Sequence, residues 1–392
     1  MKIIGFFNLI NSGLAFLGSF LLVRLLGTEV YGNYYYLVSI ATILYTFIEF
    51  GVSNEIIVNK LVKFNENKFF VEKKLILRCL FFILFTIILF PFLKLFDISN
   101  IIDLSLIISL TILLFINKLI QTLFQSVEKW ILWGLVGLMI PLAKFVSLCN
   151  LDTYILNNVI LQIIILLFLF SYLILNIKIS KQSKIIKVDN SNLLFALINF
   201  VTIILMRLDI LWIKSFLDDD SLGLYAFSST LALAGPVIIG TSINTFFTKQ
   251  FSNNLDTDNL FPSKKTIKLI IVITTLGMLI SNPSISFIMG EAKVHKYILP
   301  LLILTHCFGI IFARFEPFFL NFNLLLFLKI RLLQLLILFT GLVVNEFFFE
   351  TNLTNIVICV LITRVFYWIT LPQIAKKIKY KSKYNYEKTE QI

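Results

Sequence analysis

The sequence predicts an all-α, polytopic membrane protein. Twelve transmembrane helices are expected in two six-helix bundles related by a parallel repeat. Three observations carry this. Of the 392 residues, 58% are hydrophobic and only 14% charged, whereas a soluble domain has about 45–50% apolar and about 25% charged residues. Apolar stretches long enough to cross a bilayer recur along the whole chain. A short polar pattern is written twice, half a chain apart, each time between two such stretches.

The twelve span cores are 3–24, 34–57, 75–96, 101–125, 130–149 and 154–177 in the first half. In the second half they are 193–216, 224–247, 266–288, 297–319, 324–346 and 353–375. The first is too long for a signal peptide, lacks a small-residue cleavage site and is followed by further spans. Pro91, Pro141, Pro236, Pro283, Pro300, Pro317 and Pro372 fall in or near spans. Each removes a helix hydrogen bond and favours a kink.

Lysine asymmetry orients the chain. With the N-terminus inside, the inner segments hold 21 lysines, among them Lys60, Lys63, Lys68, Lys178, Lys181 and the run from Lys376 to Lys388. The outer segments hold only Lys94, Lys214, Lys293 and Lys296, with ten acids. The expected location is the bacterial inner membrane, multi-pass, with both termini cytoplasmic. Trp130 and Trp368 near inner span ends, and Trp212 near an outer one, suit interfacial belts.

The repeat is read from RLLGTEVYGNYYY at residues 24–36 and DSLGLYAFSST at 220–230. At an offset of 191 residues Gly32 meets Gly223, Glu29 meets Asp220, Tyr34 meets Tyr225 and Asn8 meets Asn199. At 189, Gly51 meets Gly240. An even number of spans separates the two turns, so the halves point the same way, as in parallel-repeat transporters. The expected domains are an N-terminal bundle, 1–177; a basic cytoplasmic linker, 178–192; a C-terminal bundle, 193–375; and a basic tail, 376–392.

The net charge of +12 does not point to nucleic acid, because the lysines are dispersed through short loops between spans. The four cysteines have no CxxC spacing and read as small buried hydrophobes. No metal-site, nucleotide-binding or hydrolase motif occurs. No catalytic residue, metal or cofactor is expected, and the protein is not expected to be an enzyme.

Polar residues inside spans are costly, so they face a cavity or a partner. Asn8 and Asn11 lie on one face of span 1, and Asn199 repeats this in span 7. Lys118, Gln121 and Gln125 share a face of span 4, and Lys144 follows Pro141 in span 5. With Arg207 these are the candidate lining of a central cleft. The rival reading of the amide and hydroxyl stripes is helix-to-helix packing. Leaving aside Lys94, Lys214, Lys268 and Asp103, which lie at span ends, the spans hold nine Lys or Arg against five acids, which suits an anionic cargo. Arg24, Lys329, Arg331 and Arg364 lie nearer span ends and read as snorkelling cations. Asp209 is a candidate partner for Arg24, and His306 reads as a satisfied core histidine.

Arg24-Leu-Leu-Gly27, then Tyr31-Gly32-Asn33-Tyr34, then Glu49-Phe-Gly51 resembles the N-terminal signature of Wzx-type O-antigen and polysaccharide repeat-unit flippases. These belong to the multidrug/oligosaccharidyl-lipid/polysaccharide (MOP) exporter superfamily. Gly223 and Tyr225 echo the motif in the second half. The resemblance implies a V-shaped pair of bundles that alternates its opening. It also implies a cargo, an undecaprenyl-pyrophosphate-linked oligosaccharide moved from the cytoplasmic to the outer face of the lipid bilayer. A polysaccharide polymerase would be the partner that consumes it, and no nucleic acid would be bound. Proton or sodium coupling would need a titratable acid within the spans, for which Glu49, Asp209 and Glu316 are the candidates.

Two alternatives stand beside that expectation. One is a multidrug or other small-molecule exporter of the same superfamily, which would need an acidic cavity for cationic cargo. The other is an integral-membrane polysaccharide polymerase, which would carry a large outer loop that this chain lacks. A lipid II flippase would have fourteen spans.

Overall fold

The computed structural model describes residues 2–58, 62–65, 68–72, 84, 100–149, 154–180, 190–253, 263–289, 297–349 and 351–389. The fold is the expected all-α polytopic one, with a small sheet added. The first half runs α1 (Lys2–Leu26), α2 (Thr28–Glu49), α3 (Val52–Val58), β1 (Lys63–Asn65), β2 (Lys68–Glu72), α4 (Ile101–Ser126), α5 (Trp130–Gly137), α6 (Met139–Val146), α7 (Tyr154–Asn176) and β3 (Ile177–Ser180). The second half runs α8 (Asn190–Phe216), α9 (Asp219–Asn253), α10 (Lys264–Met289), α11 (Ile298–Cys307), α12 (Gly309–Phe312), α13 (Phe315–Phe322), α14 (Leu324–Phe348) and α15 (Leu353–Thr389). Span 3, expected at 75–96, lies outside the described residues except for Leu84.

Six of the described helices, α1, α4, α7, α8, α14 and α15, are long and apolar enough to cross a membrane. Span 10 is a bent pair, Ile298–Phe312 and Phe315–Phe322, with 51° between its parts. Span 5 is a shorter apolar helix, Trp130–Val146, in which α5 and α6 join at Leu138. Large apolar side chains on α7, α10 and α14, such as Leu167, Phe168, Leu279 and Leu336, stay exposed, as surfaces in contact with hydrocarbon do.

The opening motif is almost entirely helical. Gly27 alone separates α1 from α2, at φ 88° and ψ 170°, a conformation in which only glycine is unstrained. Elsewhere side chains start the helices. Asn100 accepts from the Ile102 N–H at 3.0 Å at the start of α4, and Asn323 accepts from the Leu326 N–H at 2.9 Å at the start of α14, each satisfying an orphan donor.

The helix neighbours repeat between the halves. α2 packs on α4, and α9 on α11; α4 on α7, and α11 on α15; α1 on α5 and α6, and α8 on α14. The seam is built from α2 against α9, flanked by α1 against α9 and α2 against α8. At its end the two repeat glycines touch reciprocally. A methyl on Gly32 would strike the Asp219 carbonyl, and one on Gly223 would strike the Thr28 carbonyl. Thr28 and Asp219 are themselves 191 residues apart. Each copy of the turn therefore seats the first residue of the other, and a side chain at either glycine would push the helices apart.

The sheet was not expected. β1 and β2 pair antiparallel, and β2 pairs parallel with β3. Alternation explains it. Phe69 and Val71 of β2 are buried against a core that includes Phe124 and Tyr172. β3 thus occupies the start of the expected linker, and residues 181–189 lie outside the described residues.

Candidate functional site

A cavity of about 250 Å³ lies within the second half, between α8, α9, α11, α12, α13 and α15, with Tyr35 of α2 at its edge. Its charged lining is Arg207, Asp209, Glu316 and Arg364, joined by His306. Tyr35, Tyr225, Phe312, Tyr367 and Trp368 supply aromatic walls. Phe312 and Trp368 are stacked, with centroids 6.3 Å apart and an interplanar angle of 13°.

The acids are occupied. Asp209, 8% exposed, accepts from the Tyr225 hydroxyl and from the Ile210 N–H at 2.9 Å. Glu316 accepts from the Arg331 guanidinium and from the Tyr367 hydroxyl at 2.9 Å. Arg331 is 2% exposed and also donates to the Gln334 Oε1 at 2.9 Å. Its guanidinium carbon lies 4.3 Å from the Tyr367 ring centroid.

The cations are less engaged. Arg207 donates one hydrogen bond, to the Tyr35 hydroxyl at 3.2 Å, and its Nε is buried without a partner. The His306 Nε2 is likewise buried without a partner. Arg364 makes no hydrogen bond among the described residues, although it lies within electrostatic reach of Glu316 and Asp209. The cavity therefore holds as many acids as arginines, and its arginines keep N–H donors that no described residue accepts.

Three expectations change here. Arg331 and Arg364 do not snorkel. Broken span 10 turns Glu316 towards both, so the cations stay inside. Asp209 does not pair with Arg24, which is exposed, because Tyr225 one helix away takes the carboxylate. His306 is not a satisfied core histidine. None of the three follows from spacing along a single helix, since each depends on a partner from another element.

The remaining candidate residues lie elsewhere. Lys144 donates to the Ser19 hydroxyl at 2.7 Å, with its ammonium 5.6 Å from the Tyr31 ring centroid and 5.4 Å from that of Tyr34. Glu49, 3% exposed, accepts from the Gly51 N–H at 2.9 Å and the Ser53 N–H at 2.7 Å, capping α3. Asn199 of α8 donates to the same carboxylate at 2.9 Å across the seam. Lys118 is half-buried within electrostatic reach of Glu49. Gln121 donates to the Trp133 carbonyl at 3.4 Å. Asn8 and Gln125 are buried, and the Asn11 Oδ1 is buried without a partner. Of the candidates, the cavity unites only Arg207, Asp209 and Glu316.

The motif residues Tyr31, Gly32, Tyr34, Gly51, Gly223 and Tyr225 all pack at or beside the seam. At Gly51, φ is 73° and an added methyl would lie 2.7 Å from the Ala196 nitrogen. The tyrosine run of α2 receives a cation at each ring: Lys144 over Tyr31 and Tyr34, Arg207 over Tyr35 at 5.5 Å, and Lys214 over Tyr36 at 5.5 Å. Sequence reasoning missed Tyr35, Phe312, Trp368 and Arg364 as lining. The consecutive tyrosines YYY were the one available signal, since hydroxyl-bearing rings inside a span need partners.

Neither a protein-family model nor a curated protein sequence matches the chain significantly. Solved structures do resemble it. A MATE protein in complex with MaL6 aligns with a TM-score of 0.62 at 12% identity, over 96% of this chain and 94% of that one. The fold is that of the MATE proteins. An inward-facing multidrug resistance MATE family transporter of the MOP superfamily aligns at 0.56 and 15% identity, over 95% of this chain and 96% of that one. A MOP superfamily transporter from Pyrococcus furiosus, described as having a binding pocket of reversed polarity that suggests a different function, aligns at 0.54 and 12%, over 96% and 94%. This likeness carries the superfamily fold and does not single out the O-antigen flippases.

Proposed function

We propose that this chain is an alternating-access transporter of the MOP class that exports a small organic molecule bearing an anionic or acceptor-rich group. The cavity of the second half would hold that cargo. Free donors from Arg364 and Arg207 would take the polar end, with His306 beside them, while Phe312 and Trp368 would take the apolar body. The observation that carries the reading is the cavity's size together with its unused donors. At about 250 Å³ it falls just below the roughly 300–1,000 Å³ typical of pockets for drug-sized ligands. That suits a small molecule better than an oligosaccharide repeat unit. It also departs from an acidic, cation-binding exporter, because both acids are already engaged.

The two bundles, 1–177 and 193–375, would rock about the α2–α9 seam, with both termini on the cytoplasmic side of a bacterial inner membrane. Asp209 and Glu316 line the cavity and are the acids best placed for proton or sodium coupling. Glu49 would act at the seam.

The lipid-linked oligosaccharide reading stays second. Its support is the Arg24–Gly51 motif and a set of donors that a pyrophosphate would also satisfy. Transport of naphthalene-2-sulfonate into everted membrane vesicles, against benzyltrimethylammonium as a cation of similar kind, tests the first reading. We expect uptake of the anion alone, lost in Arg364→Gln. If neither probe moves, and deletion of the chain causes lipid-linked repeat units to accumulate at the cytoplasmic face, the second reading replaces the first.

A further inference from the structure

The three-stranded sheet plays no part in the transport reading, yet it sits where the chain leaves the membrane. β3 follows α7 with no residue between, Asn176 ending the helix and Ile177 opening the strand. At about 1.5 Å per residue, a helix of the length of α7 is used up in crossing the hydrocarbon. The strand therefore begins at the interface.

Alternation then separates two faces. Phe69 and Val71 turn inward onto the core that also holds Trp133, with Trp130 packed against it, and tryptophans mark headgroup depth. Lys68 and Phe70 take the other face of β2. The register sets Lys63, Phe70 and Lys178 side by side across the three strands. Lys178 is exposed, with its ammonium 5.9 Å from the Phe70 ring centroid. Against three lysine positions the same face carries one acid position, Glu72, at the strand end opposite Ser180. A lysine over an aromatic ring, on a strand face rich in lysine positions at headgroup depth, matches a surface of phosphates above acyl chains.

We propose that the outward face of this sheet binds the anionic headgroups of phospholipids in the leaflet it borders. The lysines contact the phosphates, and Phe70 sits between them at the acyl boundary. The proposal holds whichever way the protein faces, and it is independent of the cargo.

The test is lipid retention by the full chain, extracted from bilayers of mixed phosphatidylglycerol and phosphatidylcholine and measured by native mass spectrometry. Wild type should retain phosphatidylglycerol preferentially, with the preference weakening as salt rises. Lys68→Gln with Lys178→Gln should reduce that preference roughly tenfold. Lys264→Gln with Lys265→Gln, two exposed lysines at the start of α10, should leave it unchanged. Equal retention of the two lipids by wild type overturns the proposal. So does an equal loss in both double variants, which would mean only that the whole face is basic.

Discussion

The two halves share a helix plan but not a chemistry. At the 191-residue offset, the cavity residues Arg207 and Asp209 of α8 correspond to Phe16 and Gly18 of α1. Neither position carries a charge in the first half. The space beside Gly18 is filled by the stem of Lys144, whose carbons lie 3.5–3.7 Å from where a Cβ would stand. At this place the first half is filled by an uncharged stem, and the second half keeps a charged hollow. The seam residues, which need two matching surfaces, retain the repeat; the interior, which needs only one site, does not.

The largest break in the comparison should come from Glu316→Ala. It would strand Arg331, which is almost wholly buried, and removing one partner of a buried pair costs about 3–5 kcal/mol. Thermal unfolding in detergent should fall by many degrees or yield no folded protein. Gln125→Ala, in α4 of the first half, removes a buried neutral amide and should cost about 1 kcal/mol. Similar losses in both would erase the distinction between a packed half and a charged one.

Next come the seam glycines. Gly32→Ala and Gly223→Ala each force a methyl into a carbonyl of the partner turn, and overpacking of this kind costs about 1–3 kcal/mol. The reciprocity predicts nearly equal losses. A tolerated Gly32→Ala beside a damaging Gly223→Ala would mean that the seam is not symmetric there.

Function should separate from stability in the following pair. Arg364→Gln removes a guanidinium that makes no hydrogen bond among the described residues, so the unfolding temperature should barely move. A lost hydrogen bond from a charged donor to cargo is worth about 1.5–3 kcal/mol, or roughly 10- to 150-fold in apparent affinity for naphthalene-2-sulfonate. Lys144→Met keeps the stem and removes the ammonium from the Tyr31 and Tyr34 rings. It should cost about 1 kcal/mol of stability and leave transport intact. The reverse pattern would move the site into the first half.

The same contrast explains what the sequence disclosed. The all-α polytopic fold and the paired turns are legible because hydropathy and the Gly32/Gly223 repeat are local or periodic signals. The cavity is not. Arg331 and Arg364 looked like span-end cations because their carboxylate, Glu316, comes from a helix broken near Pro317. Asp209 found its partner in Tyr225, which had been noticed only as a repeat echo. Lys118 and Lys144 drew attention as charges in apolar runs, but the structure has Lys118 beside Glu49 and Lys144 among rings. The sheet escaped because the β2 strand is only five residues long and was hidden among loop lysines.

The smallest effect concerns how the two seam helices begin. α2 starts at Gly27, which has no side chain to cap it. At the same place in the repeat, α9 is preceded by Asp218, whose carboxylate accepts from the Ser221 N–H at 2.8 Å. The Ser221 hydroxyl and then its N–H hold the Asp218 carboxyl below the usual carboxylate value. A carboxylate lowered in the folded state stabilises it at pH values above its unfolded pKa of about 3.9. That contribution disappears as pH falls through the folded value. Asp218→Ala should therefore cost from a few tenths to about 1 kcal/mol at pH 7 and progressively less as pH falls below about 4 and through the folded value, read as converging unfolding temperatures of variant and wild type. A gap that stays constant with pH would mean that Asp218 acts through backbone conformation alone. Gly27→Asp should not import the cap into the first half, because φ near 88° with extended ψ is closed to a side chain.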